Sequence, residues 1–143
     1  CAIVYASLTG LGSHAMENAP AHGVFVWNEL NTRDIDAAKA FYAATLGWSY
    51  EPMPIEGDGE YCIIKMGDTR VGGIFVLAGP EFDGIPDHWF AYVAVDDVDA
   101  RLTAVEGAGG AVLRAPFDVP GVGRIAIVRD SVGAVAGWIT PRM

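Results

Sequence analysis

The sequence predicts an α+β fold: two tandem βαβββ modules, about residues 24–77 and 87–140, whose curved mixed sheets enclose a cavity. Three observations predict it. The tetrapeptide Asp34-Ile35-Asp36-Ala37 returns as Asp97-Val98-Asp99-Ala100, 63 positions later. A glycine, Gly47 or Gly110, stands 13 residues after each leading aspartate. Farther on, Gly57-Asp58-Gly59 meets Gly121-Val122-Gly123, and Val71 and Gly73 meet Val135 and Gly137, now at an offset of 64. These matches fall at caps and turns, where backbone geometry limits the choice of residue. They therefore mark a repeat better than scattered identities would.

Each module reads in the same order. An apolar strand comes first, at 24–32 and at 88–95. Asp34 and Asp97 then cap a helix by accepting hydrogen bonds from its free N–H groups. Asp36 and Asp99 place negative charge in the first turn, which suits the helix dipole. Ile35, Ala38, Phe41, Tyr42 and Thr45 follow helical spacing, as do Val98, Leu102 and Val105. Gly47 and Gly110 are read as left-handed C-caps. Strands follow at 48–53, 60–66 and 71–77, then at 111–115, 124–129 and 134–140, separated by Gly, Asp and Pro. Residues 78–87 form the linker, and residues 21–143 a single domain.

Residues 1–20 are read as an N-terminal extension or cloning remnant. The first fifteen hold no Lys or Arg and so make a poor signal peptide, and Gly12-Ser13-His14 resembles a cloning scar. A mature lipoprotein beginning at Cys1 is the alternative.

Composition narrows the partners. The formal net charge of −9 argues against nucleic acid, whose phosphates such a chain repels. No run of 18 apolar residues suggests a membrane span. Cys1 and Cys62 have no C-x-x-C spacing, so a reducing cytoplasm is the expected location. Cys62 lies in an apolar strand pattern, where a buried inert thiol is expected. No G-x-S-x-G elbow, P-loop or dinucleotide fingerprint occurs.

A four-stranded sheet with one face under a helix leaves the other face in need of a partner or ligand. Two such sheets curled together give the expected cavity.

The segment from Asp34 to Trp48, D-I-D-A-A-K-A-F-Y-A-A-T-L-G-W, resembles the D-x-x-x-A-x-x-F-Y-x-x-x-L-G-W signature of the vicinal oxygen chelate superfamily. That superfamily contains glyoxalase I, bleomycin-resistance proteins and extradiol dioxygenases. His88–Asp99 and Gly121–Asp130 resemble its second half. The resemblance implies a cavity in which enzymes of the family bind a divalent metal with four side chains. One comes from the first and one from the last strand of each half, and the metal acts as a Lewis acid. Carried over by motif spacing, those positions are Trp27, Gly73, Phe90 and Gly137. None offers a ligating side chain, so neither metal nor other cofactor is expected. A slip of one residue brings Asn28 and Ala91, which does not restore the site; a slip of two brings Glu29 and Tyr92.

Strand alternation puts Trp27, Glu29 and Asn31 on one face, with Phe90, Tyr92 and Ala94 at the matching positions of the second half. Gly73 and Phe75 join the first group, and Gly137 and Ile139 the second; Ile74 and Trp138 point towards the helices. The glycines are expected to leave room for a flat ligand between Trp27 and Phe90. The expected ligand-binding residues are thus Trp27, Glu29, Asn31, Gly73, Phe75, Phe90, Tyr92 and Gly137. Trp27 and Phe90 also fit a plain core, and Glu29 also fits a solvated strand end. If Glu29 is buried, it needs a partner or a raised pKa. It can then share a hydrogen bond with Tyr92, bind a cation, or act as a general base. His88, at a strand start, reads as a surface residue.

The expected function is metal-independent binding of a small hydrophobic or cationic compound, of the bleomycin-resistance kind and including drug sequestration. A lyase, isomerase or dioxygenase of the same superfamily is the alternative, and a dimeric interaction module a third. The resemblance implies a homodimer.

Overall fold

The computed structural model describes residues 21–53 and 60–142. The turn Gly57-Asp58-Gly59 and the extension 1–20 lie outside the described residues. The chain divides into two compact units. Of the described residues, one unit holds those from 28 to 89, and the other holds 21–27 and 90–142.

The first unit contains most of β1 (Phe25–Thr32), then α1 (Ile35–Leu46), β2 (Ser49–Met53), β3 (Tyr61–Met66) and β4 (Thr69–Val76). Its strands lie in the order β2-β3-β4-β1. The first two pairings are antiparallel, and β1 runs parallel to β4. The Asp34 side chain accepts from the Ala37 N–H and caps α1, as its position predicts. Gly47 ends the helix at φ 74°, its N–H donating to the Ala43 carbonyl. No β-carbon hinders a glycine there.

α1 covers one sheet face. Leu30, Cys62, Ile64 and Ile74 form the core beneath it, packed by Ile35, Ala38, Tyr42, Trp48 and Tyr50. Phe41 and Thr45, also named by the helical spacing, lie on α1 as expected, on its exposed side. Cys62 is buried and free, and burial pushes its thiol pKa up. This is the inert thiol expected from the strand pattern.

The second unit contains the start of β1, then β5 (His88–Ala94) from Phe90 onward, α2 (Val98–Leu102), β6 (Ala111–Val119), β7 (Gly123–Arg129) and β8 (Val135–Pro141). Its strand order is β5-β8-β7-β6, with β5 parallel to β8 and the rest antiparallel. Residues 23 and 24 pair with β5 through Gly23 N–H to Ala94 O and Ala94 N–H to Val24 O. The division therefore falls inside β1 and β5, not in the linker between the expected modules.

Asp97 caps α2 as expected, accepting from the Ala100 N–H. The helix is much shorter than its spacing predicts. After Leu102 the hydrogen bonds tighten to the i→i+3 type, at Thr103, Ala104 and Val105. Gly107, Gly109 and Gly110 weaken any continuation. Gly109, not Gly110, adopts the left-handed conformation, at φ 93°. Gly110 is instead required by close packing, since a β-carbon there would meet the Arg129 carbonyl.

Val95, Val98 and Ala126 form the core on the α2 side, with Val93, Leu102 and Trp138 against them. Ile74 and Trp138 thus face the helices, as alternation predicts. The outer strand β6 is interrupted: its register on β7 shifts between Val112 and Arg114 and again before Phe117, beside Pro116. In the first unit, β2 carries Pro52.

Ion pairs lie at the surface of each unit. Arg101 holds Asp96, and Arg124 bridges Asp99 and Asp118. The Arg101 and Arg124 guanidinium groups hold Asp96 and Asp99 below the usual carboxylate pKa. Asp87 is lowered as well, first by the hydrogen bond from the Thr32 hydroxyl. A depressed folded-state pKa contributes stability that is fully present above the unfolded value, about 3.9. It is lost as pH falls through the folded value. The melting temperature is therefore expected to hold steady above about pH 4.5 and decline below about pH 4. Thermal melts between pH 2 and 7 check this; a decline centred near pH 6 would point to groups other than these aspartates.

Candidate functional site

The sheet face away from α1 in the first unit carries two buried polar side chains, Glu29 and Asn31. Pairing registers place its residues in two rows. Glu29 lies opposite Gly73, which lies opposite Ile63. Asn31 lies opposite Phe75, which lies opposite Tyr61. Residues opposite each other on paired strands share a face.

Glu29 and Asn31 are both 0% exposed. The solvated strand-end reading of Glu29 is thereby overturned. Asn31 is the sharper case. Neither its Oδ1 nor its Nδ2 has a hydrogen-bond partner among the described residues. Buried amides are almost always paired, so an exception asks for an explanation.

Gly73 does not open a floor, contrary to the sequence expectation. A β-carbon there would run into the Tyr61 phenol hydroxyl. Tyr61 leans diagonally from β3 and covers the glycine, a known way for an aromatic ring to shield a side-chain-free strand position. Its hydroxyl thus stands next to the strand position of Glu29. Sequence reading missed Tyr61. Its signal, an aromatic two strands from a glycine, needs the β3–β4 register to be seen.

Beside this face runs the linker. Pro80–Phe82 form a 3-10 turn, and Phe82 is buried with its ring edge-on to Phe75, centroids 5.8 Å apart. Arg33 donates to the Phe82 carbonyl at 2.8 Å and to Asp87 at 3.2 Å. The Thr32 hydroxyl donates to Asp87 at 2.7 Å. His88, read as a surface residue, shares a 2.7 Å hydrogen bond with the Pro86 carbonyl through its Nδ1.

The corresponding face of the second unit, taken by itself, is apolar. Tyr92 lies opposite Gly137 and Ala94 opposite Ile139. Phe90 and Tyr92 meet edge to face at 5.0 Å. The space beside Gly137 is filled by the Tyr92 ring, with Phe90 close by. This glycine too leaves no room of the expected kind. Trp27, Phe90 and Tyr92 are all buried, and Trp27 belongs to this unit.

The positions that the family resemblance implies for a metal are Trp27, Gly73, Phe90 and Gly137, and none of these residue types offers a ligating side chain. Among the described residues no three of His, Cys, Asp and Glu group so as to hold a metal ion. The described side chains therefore do not fit that metal. No helix among the described residues is long and apolar enough to cross a membrane.

Residues 24–135 match the model of the Glyoxalase/Bleomycin resistance protein/Dioxygenase superfamily. The chain belongs to this superfamily. Among its relatives is the Mycobacterium bovis protein named "Putative glyoxylase CFP32", 41% identical over 119 residues, covering 83% of this chain and 44% of that protein. Another is the Streptomyces peucetius "Anthracycline biosynthesis protein DnrV", 34% identical over 130 residues, with 82% and 47% covered. This superfamily chain thus spans about half the length of the curated relatives it matches. Solved structures share the fold. A Streptomyces coelicolor methylmalonyl-CoA epimerase superposes with a TM-score of 0.59 at 20% identity, covering 86% of this chain and 100% of its own. The Bacillus halodurans protein BH1468 gives 0.64 at 13%, with 86% and 97% covered.

Proposed function

We propose that this superfamily member binds a small organic molecule without a metal, and that the first-unit face bearing Glu29, Asn31 and Tyr61 recognises it. One observation carries the reading: the Asn31 amide, sealed from solvent with neither polar atom bonded among the described residues. Leaving such a group unsatisfied costs about 1–3 kcal/mol. A chain that needed only a core would place an aliphatic side chain there, as it does at the matching second-unit position, Ala94. The cost makes sense if a ligand completes the amide. Such a ligand presents a donor and an acceptor side by side, as lactams, carboxamides and hydroxy-ketones do. Glu29 adds a preference for cationic or amine-bearing members of that class. The name of one relative ties that protein to the making of a small organic compound, which agrees with this class. Sequestration of a drug-like compound, a homodimer, and descent of the two halves from one module belong to the same reading. The last is supported by matched registers, Glu29 on Gly73 and Tyr92 on Gly137.

A thermal-shift panel of aromatic amines, neutral lactams and hydroxy-ketones tests the reading. A compound at 100 times its Kd stabilises by about 2.7 kcal/mol, on the order of 5–10 °C in Tm here. Glu29→Gln is expected to weaken the cationic binders and spare the neutral ones. Equal loss of both would remove the proposed role of Glu29, and a panel without any shift would remove the binding reading.

The burial of Glu29 favours a second reading, in which it serves as a metal-free general base and the chain is an enzyme. The glyoxylase name of one relative agrees with it. Turnover of a bound compound that Glu29→Gln abolishes without loss of affinity would select this reading.

A further inference from the structure

Asn31 has no exposed surface, so a ligand needs a route to it. The element best built to give way is the linker. Phe82 sits on Phe75, the residue between Asn31 and Tyr61 in their shared row. It therefore covers the middle of the polar face, on the side away from α1. Gly79, at φ 109° and ψ 157°, and Gly84, at φ 82°, flank the 3-10 turn in conformations that favour glycine. Between them the backbone bonds are local: Phe82 to Gly79, Asp83 to Pro80, Ile85 to Phe82. The Arg33 side chain, just past β1, ties the turn down through the Phe82 carbonyl and Asp87. The Thr32–Asp87 bond anchors the far end independently of that arginine.

We propose that residues 79–84 form a strap that swings on Gly79 and Gly84, lifting Phe82 from Phe75 to admit the ligand to Asn31, with Arg33 as its latch. This rests on the first-unit face being the binding site. The strap contributes no residue to the core beneath α1, so its opening leaves that core in place. Segments of this kind open locally at much lower cost than the whole domain. Cys62, under α1, supplies a built-in control for wider unfolding.

Thiol labelling reads the opening without any ligand. Asn31→Cys is made in a Cys1→Ser background, treated with N-ethylmaleimide, and the labelled peptides are followed by mass spectrometry. Adding Arg33→Ala is expected to speed labelling at position 31 at least tenfold and leave Cys62 unchanged. Phe82→Ala is expected to do the same, and Arg33→Lys to fall between. If Asn31→Cys fails to fold, hydrogen exchange at the Ile85 amide replaces it; Arg33→Ala should speed it relative to the β3–β4 amides. An unchanged rate, or one rising only in step with Cys62, overturns the strap. The ligand panel decides the binding reading separately: labelling that responds while no compound stabilises leaves the strap and removes its purpose.

Discussion

Asn31→Leu is expected to make the protein more stable by about 1–3 kcal/mol while abolishing its response to ligands. The expectation follows from the unbonded amide. Leucine has the same branching and number of side-chain heavy atoms and carries no polar atom, so the desolvation penalty disappears, and its bulkier methyl groups offset only part of that gain. Most buried substitutions destabilise, which makes the sign itself diagnostic. Denaturant melts give the first half and the thermal-shift panel the second. A loss of stability would mean that the amide is satisfied in solution, by water for instance, and would remove the observation on which the binding reading stands. Asn31→Asp provides a companion: it puts a carboxylate into the same sealed place and should destabilise strongly at neutral pH.

Gly137→Ala is expected to destabilise by about 1–3 kcal/mol, as overpacking of a filled core does. The added methyl group would meet the body of the Tyr92 ring, which is itself fully buried and flanked by Phe90. Gly73→Ala makes a useful contrast. There the obstacle is the far end of Tyr61, the hydroxyl, and a side-chain end moves more easily than a ring locked at its base. Gly73→Ala should therefore cost less stability than Gly137→Ala. Its main effect should fall on ligand response, because it displaces Tyr61 from beside Glu29. Equal stability losses, with ligand response intact, would contradict the distinction drawn between the two glycines.

Much of the scaffold was legible in the residues because it is locally determined. Asp34 and Asp97 cap helices through contacts three residues away, and Gly47 ends a helix through its own φ. Strand alternation sorted Ile74 and Trp138 from Gly73 and Gly137 for the same reason. What was not legible depends on register between distant segments. The site needed Tyr61 to reach across to Gly73, and no spacing within β3 announces that. Gly110 looked like a cap by its place after a helix, yet its role is set by Arg129, on another strand. The linker read as a loop, since nothing local says that Phe82 folds back on Phe75. The eight predicted site residues are all buried, but their apparent vacancies are filled by two tyrosines that alternation alone cannot aim.

The kinks in β6 bear on how the chain behaves in crowded solution. A straight outer strand offers its free N–H and C=O groups as a template for another chain. Here two register shifts and Pro116 break that template, and Pro52 does the same for β2. Val112 and Leu113 are exposed on β6, a sequence that would otherwise invite stacking. Fibre growth from the folded protein must first straighten those kinks. Concentrated samples should accordingly stay clear at rest and turn turbid only once heating or acid has undone the second unit.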